Sequence, residues 1–375
     1  MTTIYIVLNG QKLANKTEIL LLFIRYMYMV RAVRYSDSLL LSRWLADKPR
    51  LEKHLRAIEE RLWPKVQAAY NNKIAPALFN NAVISGSLQI GNRQYDITKR
   101  ISTSPISNVY LTISREDAHY YIVKELKDHS DNCLIRRFEQ SMVLGQKLQH
   151  PAIVKAIDGV ENCLVFPFIQ GVNLDTYIKL QQETRTPIPP DQALMIIYRL
   201  AEALANIYHE EGVLHRDIKP PNIILNAYAP GFPMVCILDL EIAKWLKSQE
   251  DITPTGGFQG TLNYLAPEVV RFNLDYLLDE RIDIFSLGVT LANILRPQTR
   301  NLNDSGDFME WLSSNNPTFT PEQLAAFQWS WLIEPISRMS ERDPRLRCCT
   351  FEEVKKLCAI GIYRYTEWYW QNHRP

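Results

Sequence analysis

Excess charge of either sign is missing from this chain: 42 Lys and Arg stand against 41 Asp and Glu, a formal net charge of +1. Such a balance gives no reason to expect nucleic acid or an anionic membrane as a partner. Cysteine is scarce as well. The six residues Cys133, Cys163, Cys236, Cys348, Cys349 and Cys358 form no C-x-x-C pair and no regular framework. That pattern argues against a zinc ribbon or a disulfide scaffold and for reduced thiols in a cytosol-like compartment. The apolar run from Ile19 to Val30 is about half of the roughly 20 residues that a spanning helix needs. It contains Arg25 and is bracketed by Glu18 and Arg31, so it reads as a buried helix, and the residues before it lack the n-region of a secretory signal. No internal repeat or low-complexity tract is present.

A chain of 375 residues can bury one large core or two modest ones. Residues 1–87 read as a helical extension: after a short β-like start, Leu41, Leu45, Leu51, Leu55, Ile58, Leu62 and Val66 recur at helical spacing, in two segments broken by Pro49. The stripe reads as a face that packs on a neighbouring domain, with a protein partner as the other option. From about Ser87 the period changes to two. "LQIGNRQYDITKRIS", "NVYLTISRED" and "HYYIVKEL" alternate apolar and polar residues between turns, as an antiparallel meander does. A helix follows from about Asn132 to Leu148, then strand-like "AIVKAIDGV" and "NCLVFPFI", then helices around 191–210, 280–295 and 321–340. Passing from sheet to helices without β-α alternation implies an α+β layout, a small antiparallel-sheet lobe at about 88–169 and a larger helical lobe at about 170–360. Residues 361–375 form an aromatic tail, read as a helix anchored by Tyr363, Trp368 and Trp370.

The stretch richest in chemistry is "VLHRDIKPPNIIL", Val213 to Leu225. It sets Asp217, Lys219 and Asn222 in a loop between a helix and a strand. A carboxylate can accept a hydroxyl proton, an ammonium can neutralise a phosphoryl group and an amide oxygen can ligate Mg²⁺. This order of residue types resembles the catalytic loop H-R-D-x-K-x-x-N of eukaryotic-type Ser/Thr protein kinases. Downstream, "GTLNYLAPE" resembles the end of their activation segment and "DIFSLGV" the helix whose aspartate, here Asp283, braces the catalytic loop. "RDPRLR" resembles the late arginine motif, in which Arg347 would pair with Glu268.

The resemblance implies a bilobal protein kinase-like fold that binds ATP and Mg²⁺, with Mn²⁺ as a substitute, and acts on a protein substrate. It implies Asp217 as base, Lys219 as phosphoryl clamp, Asn222 and Asp239 as metal ligands and Lys124 in "YIVKEL" as the lysine of the α- and β-phosphates. Ser102, Ser104, Ser107 and Val109 would cover the phosphates. Phe166 would be the gatekeeper, Pro167 would offer its carbonyl to adenine and Ile169 its amide. Thr261 falls in the substrate-receiving segment, Ser248, Thr253 and Thr255 are candidate phosphorylation positions, and Arg216 would receive such a phosphate.

Glycine is missing where the resemblance calls for it most. In "ISTSPISNVY" all three loop glycines are Ser, and Pro105 removes one more amide. Glu241 replaces the glycine that follows the metal-binding Asp. The helix at Asn132–Leu148 should carry a glutamate for Lys124, yet that position holds Ser141. Glu139 lies about 200° around the helix at ~100° per residue, and a one-residue slip would bring Gln140 instead. Lys124 would then lack its partner or borrow a carboxylate from the N-terminal extension. Three readings follow: an active Ser/Thr kinase of cytoplasmic type that also phosphorylates itself, a pseudokinase acting as a binding scaffold, and a small-molecule phosphotransferase. Export into another cell as an effector stays open.

Overall fold

The computed structural model describes residues 45–80, 84–128, 132–160, 162–228, 233–240, 244–245, 264–270, 279–295 and 330–372. Of the sequence expectations, the run Ile19–Val30, Glu241, Ser248, Thr253, Thr255, Thr261 and the start of the helix expected at 321–340 lie outside the described residues.

Helix α1 (Lys48–Ala69) begins where the Asp47 carboxylate accepts the Arg50 amide at 3.0 Å. Pro49 sits in its first turn, where a missing N–H has no helical partner to lose, and the helical stretch is broken just before it, at Asp47 between the helical residues 45–46 and α1, as the two-segment pattern expects. Most of the expected stripe is buried: Leu55, Ile58, Leu62 and Val66 have no exposed surface and Leu51 little, Leu45 is half-buried, and Leu41 lies outside the described residues. One π-helical turn (Tyr70–Ile74) leads into a short helix α2 (Ala75–Phe79).

The period-two stretch folds into one antiparallel sheet of β1 (Gly86–Ile90), β2 (Arg93–Thr103), β3 (Ser107–Ser114), β4 (Tyr120–Leu126), β5 (Asp158–Val160) and β6 (Cys163–Pro167), in the order β1-β2-β3-β4-β6-β5. The first expected strand is two, because Gly91, at φ 55°, turns the chain between β1 and β2. Register places Val109 opposite Lys124, and Lys124 opposite Leu164. Helix α3 (Asn132–Lys147) lies on the sheet through Phe138, which packs with Leu126, Ala156 and Leu164. The strand expected at "AIVKAIDGV" is shorter than its pattern. Only Asp158–Val160 joins the sheet, since Ala152 and Val154 exchange backbone bonds with Ile237, 2.7 and 2.9 Å long, in the other lobe.

That larger lobe opens with β7 (Gly171–Asn173). A Cβ on Gly171 would meet the Ile224 side chain and the Leu225 carbonyl at 2.5 Å, so only glycine lets β7 lie this close to β9 (Ile223–Asn226). Helix α4 (Leu174–Glu183) is capped by the Asn173 side chain. Helix α5 (Pro190–Glu211) is apolar on nearly every side, as a central helix must be, and ends at Gly212 in the left-handed conformation, φ 69°. After it come β8 (Val213–Leu214), β10 (Val235–Ile237), which pairs with β9, and β11 (Lys244–Trp245), which pairs with β8. Among the described residues, helices α6 (Pro267–Val270), α7 (Arg281–Leu295), α8 (Ile333–Met339) and α9 (Phe351–Asn372) follow, with α9 laid along α5. The architecture is the bilobal α+β one expected.

In the aromatic tail, Trp370 is not an anchor. Burial along α9 fades after Ile362, Trp370 is 60% exposed, and Tyr365 stacks on Trp368 at 5.7 Å instead. Cys163, Cys236, Cys348 and Cys358 are buried free thiols and Cys349 an exposed one. Burial pushes the Cys163 thiol up to about 12 and that of Cys236 up to about 11, which suits inert core residues. No helix among the described residues is long and apolar enough to cross a membrane.

Candidate active site

The loop between β8 and β9 carries the first half of the site. Gly212 ends α5 and releases the chain into Val213–Leu214. Arg216 then adopts φ 67°, a strained left-handed backbone for a residue with a Cβ. Asp283, in the first turn of α7, holds that turn: its two oxygens accept the amides of His215 at 2.8 Å and Arg216 at 2.7 Å. Burial pushes the Asp283 carboxyl up, opposed by His215 and Arg216 beside it. His215 is fully buried; its Nε2–H donates to the Leu238 carbonyl at 2.9 Å while Nδ1 accepts the Asp217 amide at 3.3 Å. One tautomer serves both bonds, because a carbonyl can only accept.

Asp217 leaves this turn buried and surrounded by donors. Lys219 Nζ lies 2.7 Å from its Oδ2, and Asn222 Nδ2 donates to the same oxygen at 2.7 Å and to the Asp217 carbonyl at 2.9 Å. Both side-chain contacts fall on Oδ2. With the amide nitrogen of Asn222 committed to Asp217, its Oδ1 remains the acceptor end, the atom a hard cation takes.

The other half of the site comes from β4 and the end of β10. Lys124 Nζ reaches both oxygens of Asp239, at 3.3 and 3.4 Å. Burial works against ionisation of Asp239, but the Lys124 ammonium, with Lys219 beyond it, outweighs burial and holds the carboxyl below the usual range. Asp239 sits at φ 68°, a second left-handed residue at the site. The His215–Leu238 bond and the bond from the Leu238 amide to the Asn222 carbonyl, 2.9 Å, tie the two halves together.

Lys124 therefore meets the Asp239 carboxylate across the two halves of the site. Glu139 is exposed, whereas Ser141 is 1% exposed and its hydroxyl has no hydrogen-bond partner among the described residues. Glu52 and Glu59 of α1 face Arg199 instead.

The serine loop is closed on itself. Ser104 Oγ accepts the amides of Ser107 at 3.0 Å and Ile106 at 3.3 Å, and the Ser104 amide donates to the Ser107 carbonyl at 2.8 Å. Lys127 clamps the turn from outside, Nζ to the Ser104 carbonyl at 2.6 Å and its amide to the Ile106 carbonyl at 2.9 Å. Ile106 packs against the cluster of Leu126, Phe138, Ala156 and Leu164, as Phe166 also does. Two amides of the loop thus face a side chain of the loop itself. Ser102 is exposed and pairs in register with Val109.

Sequence reading had no access to this clamp, since Lys127 follows β4 as an ordinary exposed lysine. Pro167 ends β6 opposite Tyr121, and Ile169 follows it, half-buried. Farther out, Arg347 and Glu268 form a bidentate buried pair, 2.7 and 3.0 Å, and Arg347 also donates to the carbonyls of Arg281 and Glu341, each at 2.7 Å. Its guanidinium lies 4.9 Å from the Phe285 ring centroid, beside the cluster of Leu214, Tyr264, Ala266 and Ile282 that underlies the catalytic loop.

This geometry agrees with what the chain is similar to. The protein kinase domain family matches residues 95–356. Serine/threonine-protein kinase pkn2 of Myxococcus xanthus is 29% identical over 283 residues, which cover 72% of this chain and 32% of that protein. Serine/threonine-protein kinase PrkC of Bacillus subtilis is 33% identical over 219 residues, 55% of this chain and 31% of that one. The chain thus spans about a third of the length of these relatives. Among solved structures, the kinase domain of Mycobacterium tuberculosis PknI superposes with a TM-score of 0.52 at 18% identity, covering 76% of this chain and 99% of that one. With a family match that takes in most of its length and both halves of its site, the chain belongs to the protein kinase domain family.

Proposed function

We propose that the chain is an ATP-dependent Ser/Thr protein kinase that transfers the γ-phosphoryl group to protein hydroxyls, its own included, with residues 88–360 as the catalytic domain. The observation that carries this reading is the convergence of Lys219 and Asn222 on the Asp217 carboxylate, which sets a base, a cation and an amide at one point, with Asp217 as the group that accepts a substrate hydroxyl proton. Lys219 then neutralises the phosphoryl group in transfer, and Lys124 holds the α- and β-phosphates. Pro167 and Ile169 present a backbone acceptor and donor to adenine, Thr261 belongs to the segment that receives substrate, and Thr253 and Thr255 are its phosphorylation positions, with Arg216 as the residue that would bind such a phosphate. Asp283, Glu268 and Arg347 support the loop.

The donor set suits Mg²⁺: the Asp239 carboxylate, held ionised by its neighbours, and the uncommitted Oδ1 of Asn222 are hard oxygen ligands. A bound Mg²⁺ would neutralise phosphate charge. Residues 1–87 are the extension of this domain, of which α1 from Glu52 onward ties to α5 through Arg199, and residues 361–375 are its tail.

Two observations favour a second reading, a pseudokinase scaffold: the loop amides of Ile106 and Ser107 are occupied by Ser104, and Ser141 stands where the family resemblance calls for a carboxylate. The experiment that separates the two is intact-mass analysis after incubation with ATP, Mg²⁺ and a generic Ser/Thr protein substrate, beside Asp217→Asn. Phosphate gained with the wild type, and reduced about 10²- to 10⁴-fold in rate in the variant, is the expected result, since that is what a general base contributes. Equal mass in both would leave the scaffold reading.

A further inference from the structure

The segment from Glu52 to Phe79 takes no part in the chemistry above, yet it touches both lobes. Its first half is tied to the helical lobe. Arg199 of α5 donates from Nε to Glu59 at 2.7 Å and from its two terminal nitrogens to Glu52 at 2.8 and 3.0 Å. Arg61 reaches Asp191 at 2.6 Å, His54 meets Thr366 of α9 at 3.0 Å, and Trp63 donates to the Tyr228 carbonyl. The second half is tied to the sheet lobe and to the connection between lobes. The Phe79 ring is tilted against Tyr120, centroids 5.0 Å apart, and meets Phe168 edge-on at 6.0 Å, while Tyr120 and Phe168 are 6.3 Å from each other. Lys99 of β2 donates to the Ala77 carbonyl.

Between these anchors the backbone stays helical. Ala69 and Ala75, on either side of the π turn, are both right-handed, Tyr70 is buried, and the turn itself lies against β7. A flexible linker would let its two ends move independently, whereas a continuous helical path passes displacement from one to the other. The upper anchor grips two informative places. Tyr120 opens the strand that carries Lys124, and Phe168 stands between Pro167 and Ile169.

We propose that residues 52–79 form a rigid strap across the hinge, with Phe79 as the positioning residue that holds Phe168, and through it the Pro167–Ile169 backbone, where a nucleotide base is received. The nucleotide part of this assignment rests on the kinase reading above. The strap part does not.

The test is Phe79→Ala in the full chain, read by hydrogen exchange without nucleotide and by steady-state kinetics with ATP. Exchange in residues 163–171 should quicken about fivefold to tenfold, the worth of one aromatic cluster, while α7 exchanges as in the wild type. The KM for ATP should rise by a similar factor with kcat within about twofold. Wild-type exchange in residues 163–171 overturns the strap, and quickened exchange with an unchanged KM in an active enzyme overturns the positioning role. If Phe79→Ala does not fold, Phe79→Leu keeps the apolar bulk, loses the ring contacts and is read by the same criteria. If the wild type transfers no phosphate, the kinase reading fails while the exchange measurement still decides the strap.

Discussion

At position 141 a carboxylate would be buried on the sheet-facing side of α3, but the side chain there is a serine whose hydroxyl finds no partner among the described residues. A buried hydroxyl without a hydrogen bond carries its desolvation penalty uncompensated. Ser141→Ala should therefore leave stability unchanged or raise it by about 1 kcal/mol in urea denaturation, and a clear loss would show that the hydroxyl is bonded. Asp239 follows the opposite logic. Its folded pKa is depressed, so the stability contributed by the Lys124 pair is present above the unfolded value of about 4 and is lost as pH falls through the folded one. Asp239→Asn, which suits the left-handed backbone, should cost about 1 kcal/mol near pH 7 after solvent screening. That gap from the wild type should close as pH falls through the lowered folded value; one that persists to the lowest pH at which the chain stays folded would assign the loss to packing instead of charge.

Among the elements, the serine loop is the one whose behaviour a single side chain decides. Ser104 Oγ holds two amides that would otherwise be open to an anion. Ser104→Gly frees them and restores backbone freedom, so the KM for ATP should fall about tenfold, the worth of one additional hydrogen bond to a charged group. A rise in KM would mean that the hydroxyl itself grips phosphate. The α1 contact with α5 is an element-scale clasp of another kind. Arg199 holds the Glu52 carboxyl below its usual range, so a Glu52→Gln variant should be less stable than the wild type at neutral pH, with the difference vanishing as pH falls through that lowered value. Thermal melts across pH measure this directly.

For the molecule as a whole, the Arg347–Glu268 pair is the buried tie beneath the catalytic loop, and its arginine also satisfies backbone carbonyls of three separate residues. Removing one partner leaves an uncompensated buried charge. Arg347→Ala should cost about 4 kcal/mol and lower the melting temperature by roughly 10 °C. Lysine at this position should recover little, because it cannot form the two-pronged contact. A melting temperature within about 2 °C of the wild type would show that the pair is not what holds the lobe.

Local pattern determined a large part of this protein. Periods of two and near four separate the sheet lobe from the helical one, Gly212 closes α5, and the spacing of Asp217, Lys219 and Asn222 puts chemistry in one loop, because each depends on neighbours along the chain. The absence of loop glycines and of a glutamate at position 141 was equally legible. What replaced them was not. That Lys124 meets Asp239, that Ser104 and Lys127 close the loop and that Phe79 reaches Phe168 are contacts between residues that only the assembled lobes bring together. Side chains of one type are interchangeable in a sequence pattern, and it is tertiary packing that gives each of them a single partner.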